Sequence, residues 1–192
     1  MKTGIIVIIV LALVGFWGCS SYNGVVKKDE VVQKAWGNVE TQYQRRADLI
    51  DNLVSTVKGS AKFEQETLTG VIEARAKATS VQVNANDLSP EKIAQFQQAQ
   101  GELSGALSRL LVSVERYPEL RTTEQFQTLM AQLEGTENRI AVARNDFNSA
   151  VNTYNSSVRS FPTNLVAGLG GFQQKGYFKA AEGSDKAPKV QF

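Results

Sequence analysis

The chain has 192 residues, 42% hydrophobic and 21% charged, enough for one domain with its own core and too few to expect two. A formal charge of +2, with Lys and Arg interspersed among Asp and Glu, leaves no basic stripe to neutralise a phosphate backbone, so nucleic acid is not an expected partner. A single cysteine, Cys19, rules out an internal disulfide framework and a thiolate zinc cluster, and the lack of histidine removes the commonest metal ligand and general base.

After Met1-Lys2-Thr3, the run Gly4 to Gly18 (GIIVIIVLALVGFWG) carries no charge. It falls short of the roughly 20 apolar residues that cross a bilayer core, and the uncharged CSSYNGVV that follows completes a span. Three readings of residues 1–24 stay open: a retained signal-anchor helix, a cleaved secretory peptide, and a lipoprotein signal in which Gly18-Cys19 is the processing point and Cys19 takes the lipid. Ser20 and Ser21 suit the lipoprotein, whereas Phe16-Trp17 is bulky where such signals carry Leu and a small residue. Trp17 and Tyr22 sit where an interfacial aromatic belt would lie, which suits the anchor. Otherwise Cys19 is an inert small hydrophobe at the end of a span.

Residues 25–162 read as helix nearly throughout. From Asp29 to Lys58, Val32, Trp36, Val39, Tyr43, Arg46, Ile50, Leu53 and Val57 recur at coiled-coil spacing and form one seam. Gly59-Ser60 offers a stop, and a second helix from about Ala61 to Thr79 is expected to bury Phe63, Leu68, Val71, Ile72 and Ala76. SVQVNANDL (80–88) loses the helical period and reads as a loop. Ser89-Pro90-Glu91 then supplies an N-cap, a first-turn proline and an acid, and Phe96, Gln100, Leu103, Leu107, Leu110, Val114 and Tyr117 form the third seam until Pro118.

Thr122 and Gln125 suit a capping box for the fourth helix. Its stripe is Phe126, Met130, Leu133, Glu137, Ile140, Arg144, Phe147, Val151, Tyr154, Val158 and Phe161, closed by Pro162. The expected fold class is all-α: an antiparallel up-down four-helix bundle with an N-terminal hydrophobic membrane helix and an irregular C-terminal tail, 163–192. An even number of antiparallel helices returns that Gly-rich tail to the membrane end. There Leu165, Val166, Leu169, Phe172 and Phe178 either cap the open core or meet the membrane or a partner.

Arg46, Glu137 and Arg144 place charge on otherwise apolar seams, and the three are candidates to meet in a structural polar seam. Glu137 and Arg144 lie about 10 Å apart along their helix, so a bridging residue is needed, with Asp48, Arg75 and Asn148 as candidates. Two neighbouring arginines would hold Glu137 as an anion, the reverse of what a general acid needs. A ferritin-like metal site needs Glu-x-x-His pairs that this chain lacks. The expectation is therefore a buried ion network that fixes helix register, with no catalytic residue, no metal or other cofactor, and no small-molecule substrate identified. Gly168-Leu169-Gly170-Gly171 has neither the preceding strand nor the Gly-Lys-Ser of a phosphate loop.

Ala35-Trp36, RRADLIDNLVSTVKG, EARAKA, QGELSGALSRLLVSVERYPEL and LEGTENRIAVARNDFNSAVNTYNSSVRSFPTNLVAGLGGF occur in that order, after Tyr22-Asn23. In these motifs the chain resembles the LemA proteins of bacteria over about residues 20 to 178. It departs from them at Asp51, where the family usually has Pro, and at Ser60 and Phe63, where a Gly and a His-containing stretch are usual. Without that Pro the first helix should be less kinked. The resemblance implies an α-helical bundle, an N-terminal membrane anchor and no established enzymatic activity.

The reading is a non-catalytic scaffold or adaptor of the bacterial envelope. A single N-terminal anchor would hold its body on the outer, periplasmic face, where it would form a homo-oligomer or dock another membrane protein. The alternative is a binding module for a lipid or small envelope ligand at the membrane-proximal tail. The small residues Ala99, Ser104, Gly105, Ala106 and Ser108 would serve close helix packing if they face inward and a protomer contact if they face outward.

Overall fold

The computed structural model describes residues 2–59 and 64–180. Six helices follow in chain order: α1 (Lys2–Lys58), α2 (Gln65–Ser80), α3 (Pro90–Val114), α4 (Pro118–Arg121), α5 (Glu124–Arg159) and α6 (Thr163–Leu169). Among the described residues there is no strand.

α1 is one unbroken helix of 57 residues, about 85 Å long at 1.5 Å per residue. It changes chemistry along its axis. Residues 3–17 are exposed all round, with Ile8 at 68% and Phe16 at 77%, whereas Val25 and Val32 are fully buried. By length and composition α1 is able to cross a membrane. No break separates its apolar half from the half that packs, so the two share one axis. The helix continues without a break through Asp51, where the amide of a non-proline residue is free to bond.

All eight seam residues from Val32 to Val57 are buried, Arg46 among them. α1 lies along α5, with Lys28 Nζ donating to Ser157 Oγ at 2.8 Å and Arg46 Nη1 to Glu137 Oε1 at 2.9 Å. α2 lies along α3, tied by Lys77 to Glu102 at 2.6 Å and by Arg116 to Glu64 at 2.9 Å. Arg75 on α2 donates to the Ala47 carbonyl at 3.2 Å and pairs with Asp51 on α1.

The structure departs from the sequence reading at several ends and faces. α2 buries Leu68, Val71 and Ala78, while Ile72 and Ala76 face solvent, because the face turned to α1 and α3 runs through steps 68, 71, 75 and 78. Phe63 lies outside the described residues. α3 stops at Val114, short of Tyr117, and Pro118 opens the short α4. Ser89 occupies the N-cap of α3 without a side-chain cap bond. The cap of α5 is Thr123, whose Oγ1 accepts from Phe126 N–H at 3.4 Å; Thr122 instead donates its hydroxyl to Pro118 and Glu119 carbonyls. Phe161, beyond the end of α5, is 81% exposed. The tail is not irregular throughout, since residues 163–169 form α6. Gly171, at φ +73°, then turns the chain back in the left-handed conformation that favours glycine.

The core divides into two apolar clusters. One, nearer the apolar half of α1, gathers Trp36, Phe96, Phe147, Tyr154 and Phe178; the other gathers Ile50, Leu53, Val71, Leu103, Leu110 and Leu133.

Candidate functional site

Between those clusters lies a polar layer built on Arg46. Its side chain is only 3% exposed, and the neighbours on α3 and α5 are chosen to fit a guanidinium. Nη1 donates to Glu137 at 2.9 Å, and Nη2 donates to the Gln100 carbonyl and Ser104 Oγ, each at 3.1 Å. The Ser104 hydroxyl donates in turn to the same carbonyl at 3.1 Å. Arg46 Nε is buried without a partner, so the charge depends on its two amino groups. Glu137 is 50% exposed, so the layer is a buried cation reaching a half-solvated anion, not a fully buried pair.

Arg144 is not part of the Arg46–Glu137 pair. Its guanidinium lies 4.8 Å above the Phe178 ring and donates to the Lys179 carbonyl at 2.9 Å. Tyr43 lies near both arginines, with the Arg46 guanidinium 5.6 Å from its ring centre and the Arg144 charge acting on its hydroxyl. Burial raises the Tyr43 hydroxyl pKa above its ordinary value, partly offset by the two arginines. The residues considered as bridges go elsewhere: Asp48 accepts from Gln44, Arg75 serves α1, and Asn148 holds the tail.

The tail forms the second polar construction. After Gly171 an extended strap, 172–180, runs over α3 and α5. Three side-chain amides grip its backbone at both ends of a residue. Asn155 Nδ2 donates to the Lys175 carbonyl and Lys175 N–H donates to Asn155 Oδ1, both at 2.9 Å. Asn148 does the same for Phe178 at 2.9 Å, and Gln97 for Lys179 at 2.8 and 3.0 Å. Tyr154 donates to the Gln173 carbonyl at 3.0 Å, and Gly176 N–H donates to the Leu88 carbonyl at 2.8 Å. Lys175 is buried against Asp29 at 2.7 Å, with its ammonium 5.3 Å from the Tyr154 ring centre. Burial, with the Asp29 charge as a smaller cause, pushes the Tyr154 hydroxyl up to about 12.

Phe178 therefore belongs to the core, 5% exposed and stacked 6.1 Å from Trp36. Phe172 is partly buried, its ring 5.3 Å from Tyr22, and Val166 is also partly covered. Leu165 and Leu169 are exposed, at 58% and 93%. Phe161 is exposed too, at 81%. Of the small residues on α3, Ala99 and Ala106 are buried, Gly105 is half-buried and Ser108 is exposed, while the largely exposed Ser104 turns its hydroxyl to Arg46. Cys19 is exposed on α1 as a free thiol.

Sequence reasoning missed Asp29, Gln97, Asn155 and Lys175. The available signal was Asn148 and Asn155, seven residues apart and flanking the aromatic stripe of α5, where amides are costly unless paired.

Among the described residues no group of three or more His, Cys, Asp and Glu stands together as cation ligands. A cleft of about 530 Å³ is lined by Glu40, Tyr43, Gln44, Gln82 and Gln100, and one of about 260 Å³ beside the strap by Asp29, Asn86, Asp87, Tyr154 and Lys175.

The chain is similar to Magnetosome protein MamQ 2 of Paramagnetospirillum magneticum, 28% identical over 200 aligned residues that cover 94% of this chain and 74% of that protein. It is also 28% identical to Magnetosome protein MamQ of Magnetospirillum gryphiswaldense, across 85% of this chain and 66% of that one. Protein LemA of Metamycoplasma hominis is 21% identical across 83% and 69%. The fourth-helix motif, the strap that follows it and the seam of α1 from Ala35 onward all fall within residues 35–192, which match the model of the LemA family, and the chain belongs to that family.

Proposed function

We propose that this protein is a non-catalytic scaffold or adaptor of the bacterial envelope, held by one N-terminal membrane span and working through self-association or by docking another membrane protein. The observation that carries the reading is α1 itself. An exposed apolar rod of residues 3–17 continues without a break into a buried seam, so a body gripped by that seam is held rigidly against the bilayer. The anchor is residues 1–24, the body 25–162 and the tail 163–192.

In this reading α1, α2, α3 and α5 form an antiparallel up-down four-helix bundle. Support comes from pairs whose numbers run in opposite directions: 28 with 157 and 46 with 137, and 77 with 102 and 64 with 116. Arg46, Glu137 and Arg144 serve structure, by setting register and seating the tail. Cys19 is an unmodified thiol within that anchor, and the body faces the outer side. Leu165, Leu169 and Phe161 meet the membrane surface or a partner beside it. The relatives named for the magnetosome support a place among components of a cellular structure.

The alternative, a lipid or small-ligand module at the tail, is less well supported, because the cleft beside the strap is small and lined by polar groups.

Alkaline carbonate extraction of native membranes tests the anchor. The full chain stays in the pellet, whereas a chain with residues 4–18 replaced by a polar segment is released. Release of both would overturn the reading.

A further inference from the structure

Two uncharged stretches of the chain meet at one level of α1. Residues 3–26 carry no charge, and neither do residues 160–174, which hold α6 and the turn after it. α6 packs against α1 and α5. Ala167 is buried in the core cluster that also holds Val25, and Leu165 and Leu169, one turn apart, point away from it at 58% and 93% exposed. The meeting point on α1 is Tyr22. Its ring centre lies 5.3 Å from that of Phe172, and a Cβ on Gly170 would stand 3.0 Å from Tyr22 Cε2. Counted from Thr3 at about 1.5 Å per residue, a hydrocarbon core of about 30 Å ends near Tyr22. The end of α6 that carries Leu169 is thus at the edge of the hydrocarbon. Charge returns at Lys27, about 7 Å farther along α1, and at Arg159, both exposed, and the Lys28 to Ser157 hydrogen bond sets their stretches of chain at one level. That step matches a headgroup layer about 5–7 Å thick.

We propose that α6 is a second membrane contact, in which Leu165 and Leu169 enter the boundary between headgroups and acyl chains of the bilayer that α1 spans. This rests on the anchored reading above, and of the two partners named there for these side chains it selects the lipid surface. At the depth of Tyr22 lipid already surrounds the anchor, so it covers the two leucines without any further chain. The uncharged residues on either side enter that layer without stripping water from a charge. A body carried on one helix alone is free to turn and tilt about it. A contact off the axis of α1 removes that freedom, so the body stands on the bilayer in one orientation.

The test places a fluorophore on single cysteines in a Cys19→Ser background: Leu169→Cys on α6, Leu11→Cys in the anchor and Val112→Cys, 67% exposed on α3. The full-length proteins are reconstituted into vesicles of phosphatidylcholine and phosphatidylglycerol. Quenching is read with lipid carrying a nitroxide on the upper acyl chain, and separately with aqueous iodide. Lipid nitroxide is expected to quench the labels at 169 and 11 several-fold more than the label at 112, and iodide to do the reverse. A label at 169 that iodide reaches and lipid nitroxide does not overturns the α6 contact; if the label at 11 is still quenched by lipid, the anchor stands without it. A label at 169 shielded from both quenchers overturns the contact too, because protein then covers the site. Failure of lipid to quench the label at 11 overturns the anchor and the contact together.

Discussion

Asn148 and Phe178 share a reciprocal pair of hydrogen bonds: the Asn148 amide donates to the Phe178 carbonyl, and the Phe178 N–H donates back to Asn148 Oδ1, both at 2.9 Å. An extended segment that would otherwise expose its backbone is thereby fastened to α5 while its ring enters the core. Replacing Asn148 by Ala removes both bonds and leaves two backbone groups partly shielded from water, at about 1–3 kcal/mol. Chemical denaturation should show that loss, and limited proteolysis should cut the strap faster than in the unaltered chain.

The polar layer predicts an ordering among substitutions. Arg46→Ala leaves a cavity between the two apolar clusters and removes the layer's only buried cation, at about 3 kcal/mol or more. Glu137→Ala strands the buried guanidinium, but water reaches the half-exposed carboxylate side, so the cost is nearer 1–2 kcal/mol. Arg46→Met fills the space without a charge and should be the mildest of the three, since apolar replacement of a buried ionic group is often close to neutral. Denaturant midpoints of the three variants give the order directly.

Gly176 is confined by Pro90, since an added Cβ would stand 2.7 Å from backbone and 3.2 Å from Ile93 Cβ. Gly176→Ala should therefore lift the strap at a cost of about 1–3 kcal/mol, the usual penalty for overpacking. Trp36 fluorescence reports it, because the Phe178 ring stacked on that indole would move away.

Tyr154 gives a pH dependence with a definite sign. Its hydroxyl is pushed up to about 12, from an ordinary 10.0, by burial first and the Asp29 charge second. The folded state holds the proton over a range where the unfolded state has lost it. Stability from this group is complete below about pH 10 and is lost as pH rises towards 12, by on the order of 2 kcal/mol. Tyr154→Phe should lessen that alkaline loss, and phenolate absorbance of the folded protein should show a late-ionising component that shrinks in this variant.

What was legible in the sequence was what periodicity encodes. The α1 seam is buried at every position named, because a four-three repeat commits one stripe of a long helix to its neighbours. On the short α2 the same logic failed at Ile72 and Ala76, where few turns leave the phase of the stripe loosely fixed. Thr122 and Thr123 are both good caps, and only the geometry of α4 selects the second. Glu137 and Arg144 share a stripe, yet Arg144 was claimed by the tail, through a carbonyl 35 residues away that no local pattern announces. The strap was illegible for the same reason. The amides that grip it lie 20 to 82 residues away, and backbone gripped by amides leaves no hydrophobic repeat.

The central claim, a retained membrane helix carrying a self-associating body, is tested most directly by intact mass and detergent-phase particle size of the full-length protein from native membranes. The account predicts a mass matching Met1 to Phe192 in a particle holding more than one chain. A mass beginning at Cys19 with added acyl chains, in a particle holding one chain, would contradict it.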